Sequence, residues 1–227
     1  MKTTDLFYNN TVPWTVKDLI FFSNILIIYM VGGGWLIKTY LPMIPLNIRY
    51  YVFILVDIFS LIICFGILNV ILKKYANGWR SLLSGKDVFF TNLVPSIGIA
   101  AVTGLAMLLI DHYVSPFLFR GLLSKPVPYT FSLFIVYPII IAPVTEEIWF
   151  RSFFYRGIKK ECGLPTGLIV STFLFVLYHY YNFSSISIII YSIFITLYYE
   201  KNKNLYNCIL IHSIINLINI TGRLLLL

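Results

Sequence analysis

The chain has 227 residues, 59% of them hydrophobic and 11% charged, with a mean hydropathy of +0.86. This excludes a soluble globular domain and indicates a polytopic membrane protein. The formal charge of +8 is spread over short loops between apolar runs, with no separate basic domain. It therefore reads as a topology signal and excludes a nucleic-acid-binding surface.

Apolar runs lie at 19–37, 50–72, 91–111, 131–155, 164–182, 185–199 and 205–222. They predict an all-α transmembrane helix bundle of about seven spans. The sixth run is short, so a small tilt or a partly re-entrant path fits it. Asp5 and Asp18 precede the first run and no small-x-small cleavage site follows it, so it is expected to remain as a helix. Cys64, Cys162 and Cys208 make neither a disulfide framework nor a zinc cluster. The segment 113–128, with Pro116, Arg120, Lys125, Pro126 and Pro128, reads as an interfacial loop. Residues 1–127 carry about three spans and no motif, whereas 128–222 carry all the polar motifs. Lys73, Lys74, Arg80 and Lys86 fill the second loop, and Arg151, Arg156, Lys159 and Lys160 the fourth, while the fifth has no basic residue. By the positive-inside rule the N-terminus is cytoplasmic and the C-terminus external.

The fourth run contains Pro143-Val144-Thr145-Glu146-Glu147-Ile148-Trp149-Phe150-Arg151. A charge at mid-bilayer costs about 3 kcal/mol even on the cheapest insertion scale, so these three must face protein or a wet cavity. Adjacent glutamates point about 100° apart on a helix. Glu147 and Arg151, at i and i+4, can pair, which leaves Glu146 to face a cavity. The plainer alternative is a structural ion pair. Phe175-x-x-x-His179 lies in the fifth run and His212-x-x-x-Asn216 in the seventh. Cys208, His212, Asn216 and Asn219 form a small or polar stripe that turns the last helix inward. His112, next to Asp111 at the end of a run, reads as interfacial.

A turn at Gly163-Leu164-Pro165 would bring Glu146 and His179 to one height, since glycine ends helices and proline opens them. Counting rises from the cytoplasmic turns puts the site about 10–15 Å below that surface. Glu146 with His179 can activate a water as general base. His212 and Asn216 can donate to a developing oxyanion, provided His212 carries its proton on the facing nitrogen. This is equipment for amide hydrolysis. No serine or cysteine has a base partner at helical spacing. Glu146, His179 and His212 are also competent zinc ligands, and three protein ligands plus water is the usual catalytic arrangement. No His-Glu-x-x-His is present, so metal-dependent and metal-free routes both stay open.

These motifs, in this order in successive apolar segments, resemble the CAAX protease and bacteriocin-processing (CPBP, or Abi) intramembrane endopeptidases, relatives of the prenyl-protein endopeptidase. The resemblance covers about residues 130–220. It implies that Glu146 and His179 activate water, that His212 and Asn216 form the oxyanion site, and that Glu147 with Arg151 supports the first motif. Metalloprotease and glutamate-protease descriptions of the family both exist. Ser152 stands where glycine commonly follows the arginine, and a small residue there is expected to matter little. The resemblance further implies action on a peptide or membrane-protein substrate in the bilayer, and the small size with no organellar address points to a multi-pass protein of a bacterial plasma membrane. A self-immunity or partner-binding role without proteolysis is the alternative. Asp57, within the second run, keeps a transporter reading open, but no internal repeat accompanies it.

Overall fold

The computed structural model describes residues 12–83, 90–114, 136–179 and 186–226. All regular structure among them is helical. Most of the 113–128 loop lies outside the described residues, as does the side chain of Asp57. The chain forms two compact units, Thr11–Ser81 and a second one continuing from Leu82.

In the first unit, α1 (Val16–Tyr40) packs on α2 (Leu46–Lys73). A 3₁₀ turn, Leu41–Met43, and then Pro45 stop α1 and open α2. Asp18 accepts the Thr15 backbone N–H at 3.0 Å, half of a capping box at the start of α1. The same carboxylate pairs with Lys74 Nζ at 2.9 Å and accepts the Tyr75 hydroxyl, so the start of α1 is tied to the end of α2. A five-residue helix, α3 (Gly78–Leu82), follows.

The second unit holds α4 (Leu93–Leu109), which continues as a π-helical turn, Ile110–Val114. It packs along the last helix, α8 (Leu205–Leu226). A Cβ on Gly104 would come within 2.9 Å of Ile218 Cδ1, so glycine lets these two backbones approach closely. α4 carries no motif, yet it shares a unit with every motif-bearing helix.

Next comes α5 (Ala142–Glu146), set between π-helical stretches Tyr137–Ile141 and Glu147–Tyr155. Helix α6 (Arg156–Tyr178) is broken at Gly163, whose φ of 83° and ψ of 170° are non-helical. This φ is open mainly to glycine. The chain folds back there: the Phe150 and Phe175 rings lie 5.2 Å apart, and Trp149 and Tyr178 rings 5.9 Å. A straight helix would separate residues 150 and 175 by about 38 Å. The turn expected at Gly163 thus forms the hairpin expected of it.

Helix α7 (Ile186–Asn202) is followed by Lys203, at φ 51°, and Asn204. Asn204 Oδ1 accepts the Asn207 N–H at 3.1 Å and caps α8. At this end Glu200 gathers Lys159, Lys203 at 2.6 Å and the Tyr155 hydroxyl at 2.6 Å, joining α6, α7 and the turn.

Four stretches among the described residues are long and apolar enough to cross a membrane: Val16–Gly33, Phe90–Tyr113, Tyr137–Tyr178 and Leu205–Gly222. The third is bent into two legs at Gly163. α2 contributes a shorter apolar stretch, Ile58–Lys73, and α7 has 17 residues. The helices match the seven apolar runs in order, and the shortness of the sixth is seen in α7.

Candidate active site

The motif residues converge from α5, α6 and α8. Glu146 Oε2 lies 3.6 Å from His179 Nε2 and 3.8 Å from His212 Nε2. Both separations exceed a direct hydrogen bond and suit contact through a water or a substrate oxygen. Glu146 is 5% exposed, whereas the His179 side chain is 21% exposed. His179 is therefore the open side of the cluster.

The tautomers follow from the outer partners. His179 Nδ1 is 2.9 Å from the Phe175 carbonyl, an acceptor only, so Nδ1 carries the proton. Its Nε2 then presents a lone pair to Glu146. His212 Nδ1 is 2.8 Å from Glu147 Oε1. Glu147 Oε2 faces Arg151 Nε at 3.2 Å, and a carboxylate held against a guanidinium is ionised, so His212 Nδ1 donates. Neutral His212 likewise turns an Nε2 lone pair to the site. The donor role expected of His212 therefore requires the imidazolium, with the Glu147 anion across the ring as counter-charge.

Glu147 and Arg151 are both 0% exposed. The predicted i,i+4 pair forms on a π-helical turn, a backbone form frequent at functional sites. Tyr191 on α7 donates to Glu147 Oε1 at 3.0 Å. The guanidinium carbon of Arg151 lies 4.2 Å from the Phe175 ring centroid and 5.4 Å from that of Tyr191. Such faces stabilise a desolvated cation. Arg151 also reaches Ser192 Oγ at 3.4 Å.

Asn216 Nδ2 donates to the Pro138 carbonyl at 2.7 Å. The backbone explains why that oxygen is free. The Ala142 N–H bonds the Tyr137 carbonyl, an i+5 register, and in this register residue 143 would bond residue 138. Residue 143 is proline and has no N–H to give. Asn216 supplies the missing donor, and its amide carries a second hydrogen beyond the one used here.

The Ser152 hydroxyl donates to the Leu82 carbonyl. His112 packs edge-on against Tyr113, ring centroids 4.6 Å apart. Sequence reasoning missed Tyr191 and Ser192, because α7 has no charged motif. Its signal was a stripe of small and hydroxyl residues, Ser187, Tyr191, Ser192, Thr196 and Tyr199, all buried.

One carboxylate facing two Nε2 lone pairs, each ring held at its other nitrogen by an acceptor, is a donor set that suits zinc. The spacing is less favourable. Among the described residues, no three His, Cys, Asp or Glu side chains are grouped as a metal centre.

Glu146 thus lies buried between two imidazoles in an apolar helical bundle, a set of groups able to polarise a water. Residues 128–218 match the family model described as type II CAAX prenyl endopeptidase Rce1-like. The match spans all three motifs. No curated protein and no solved structure matches the chain.

Proposed function

We propose that the chain is an intramembrane endopeptidase in which Glu146 and His179 activate a water against a peptide bond. The observation carrying this reading is the convergence of Glu146, His179 and His212 at 3.6 and 3.8 Å from three helices. The water donates one proton to Glu146 and its other hydrogen to the lone pair of His179 Nε2, which orients it. Its oxygen attacks the carbonyl carbon. The second amide hydrogen of Asn216 and the imidazolium of His212 receive the oxyanion. Collapse of the tetrahedral intermediate breaks the C–N bond, and protonated Glu146 returns its proton to the leaving amine. Glu147 and Arg151 hold the far side of His212. Where zinc is bound, Glu146, His179 and His212 would hold it, and it would supply a water that ionises near neutral pH.

The substrate is a membrane-associated protein tail or peptide, of the CAAX or a peptide-processing kind, reaching the site past His179 from the cytoplasmic side. The membrane is a bacterial plasma membrane, with the N-terminus inside. Mass spectrometry of membrane-associated peptides from cells expressing wild type or Glu146→Gln tests this. Fragments seen only with wild type are expected. Identical peptide sets, with both proteins equally abundant in the membrane, would refute peptidase activity and favour a partner-binding or immunity role. EDTA treatment then separates the two water-activation schemes. Retained cleavage leaves the carboxylate and imidazole alone, and loss restored by zinc gives the water to the metal.

A further inference from the structure

We infer that Tyr191, on the motif-free helix α7, is a positioning residue that fixes the Glu147–His212 pair for the reaction proposed above. The inference rests on that reading. Four observations meet at this one side chain. Its hydroxyl donates to Glu147 Oε1 at 3.0 Å, the oxygen that also takes His212 Nδ1 at 2.8 Å. Its ring lies 4.8 Å from the His212 ring and 5.8 Å from Phe175. Its face meets the Arg151 guanidinium at 5.4 Å. It is 3% exposed, so water cannot take over its hydrogen bond.

A carboxylate held only by Arg151 Nε on one oxygen could rotate about its terminal bond, a broad torsion. Two donors from different helices, Tyr191 and His212, pin the other oxygen. The position of His212 Nδ1, and with it the direction of His212 Nε2 toward Glu146, then depends on where α7 places a phenol. Ser192, the next residue, takes Arg151 Nη2 at 3.4 Å and donates to Thr172 Oγ1 at 3.4 Å, so α7 and α6 together fix the cation as well. Tyr191 does not contact the reacting atoms. Its effect passes through Glu147 and His212.

The test compares wild type with Tyr191→Phe, which keeps the ring and removes the hydroxyl. The chain has only three histidines, so ring-¹⁵N-histidine spectra in detergent resolve His212 against His112 as an internal reference. The expected result is a moved His212 resonance with His112 unchanged. Cleavage of a quenched fluorescent farnesylated CAAX peptide should lose about tenfold in kcat with KM nearly constant, as for an interaction felt in the transition state. Tyr199→Phe, a buried tyrosine on the same helix outside the cluster, should move neither. A His212 resonance that stays in place overturns the inference whatever the activity. So does a moved resonance with unchanged kcat. If wild type fails to cut the peptide, the CAAX substrate reading fails instead, and the spectra alone decide the role of Tyr191.

Discussion

Replacing Glu147 by glutamine changes almost no volume and should still cost about 3–5 kcal/mol of stability, the range for leaving one partner of a buried ion pair. Two donors and a cation surround the carboxylate: His212 Nδ1 and the Tyr191 hydroxyl donate to one oxygen, and Arg151 Nε faces the other as an ion pair at 3.2 Å. A glutamine must direct its NH₂ at one of these groups, and each is already a donor. In either orientation a donor loses its acceptor, and Arg151, at 0% exposure, keeps a charge with no anion beside it. Equilibrium unfolding in mixed micelles would measure the loss. The double variant Glu147→Gln, Arg151→Met removes the stranded charge and should recover part of it, a coupling visible in a double-mutant cycle. Glu147→Gln within about 1 kcal/mol of wild type would refute the argument, because a destabilisation of that size is ordinary for any mutation.

Three further outcomes are expected. Burial raises the Glu200 carboxyl pKa, but hydrogen bonds from Lys159, Lys203 and Tyr155 outweigh it and hold the group below its ordinary value of 4.5. A lowered folded pKa gives stability that is present above the unfolded value and lost as pH falls through the folded one. Thermal stability should therefore drop below about pH 4.5 in wild type and less steeply in Glu200→Gln; parallel curves would remove this latch as a source of acid sensitivity. Cys162 is exposed while Cys64 and Cys208 are buried, so a membrane-impermeant maleimide should label Cys162 in inverted vesicles but not in intact cells. Labelling only in intact cells would invert the topology. Asn216→Leu strands the Pro138 carbonyl and should lower stability by about 1–3 kcal/mol along with activity, whereas Asn216→Gln at full activity would argue against the oxyanion role.

Much of the site was legible because charge in an apolar helix admits few explanations. Glu146, Glu147, Arg151, His179, His212 and Asn216 stood out against apolar surroundings, and helical spacing paired Glu147 with Arg151. Gly163 and Pro165 marked the fold-back that brings Glu146 and His179 together. Less could be read where the backbone leaves α geometry. The π-helical stretches on either side of α5 follow from no propensity rule. Hence the pairing of Asn216 with a carbonyl orphaned by Pro143 was not foreseen, nor the Nδ1 commitment of His212. Tyr191 was hidden because tyrosine in a membrane helix is common and carries no charge. The packing of α4 on α8 needed knowledge of which helices are neighbours, which a motif-free run does not supply.

The fold-back at Gly163 also bears on the order of assembly. Glu146 and His179 meet within one local hairpin, a contact that can form as soon as both legs are in the bilayer. His212 and Asn216 arrive on α8, after α7 has been made. A nascent chain that ends before Leu205 holds Glu146 and His179 but neither His212 nor Asn216. The carbonyl of Pro138 and the carboxylate of Glu147 are then both short of a donor that α8 brings. Docking of the final helix satisfies those groups and completes the proposed hydrolytic centre in one event, so on that proposal half-made copies of the protein carry a site that cannot yet act on the membrane around them.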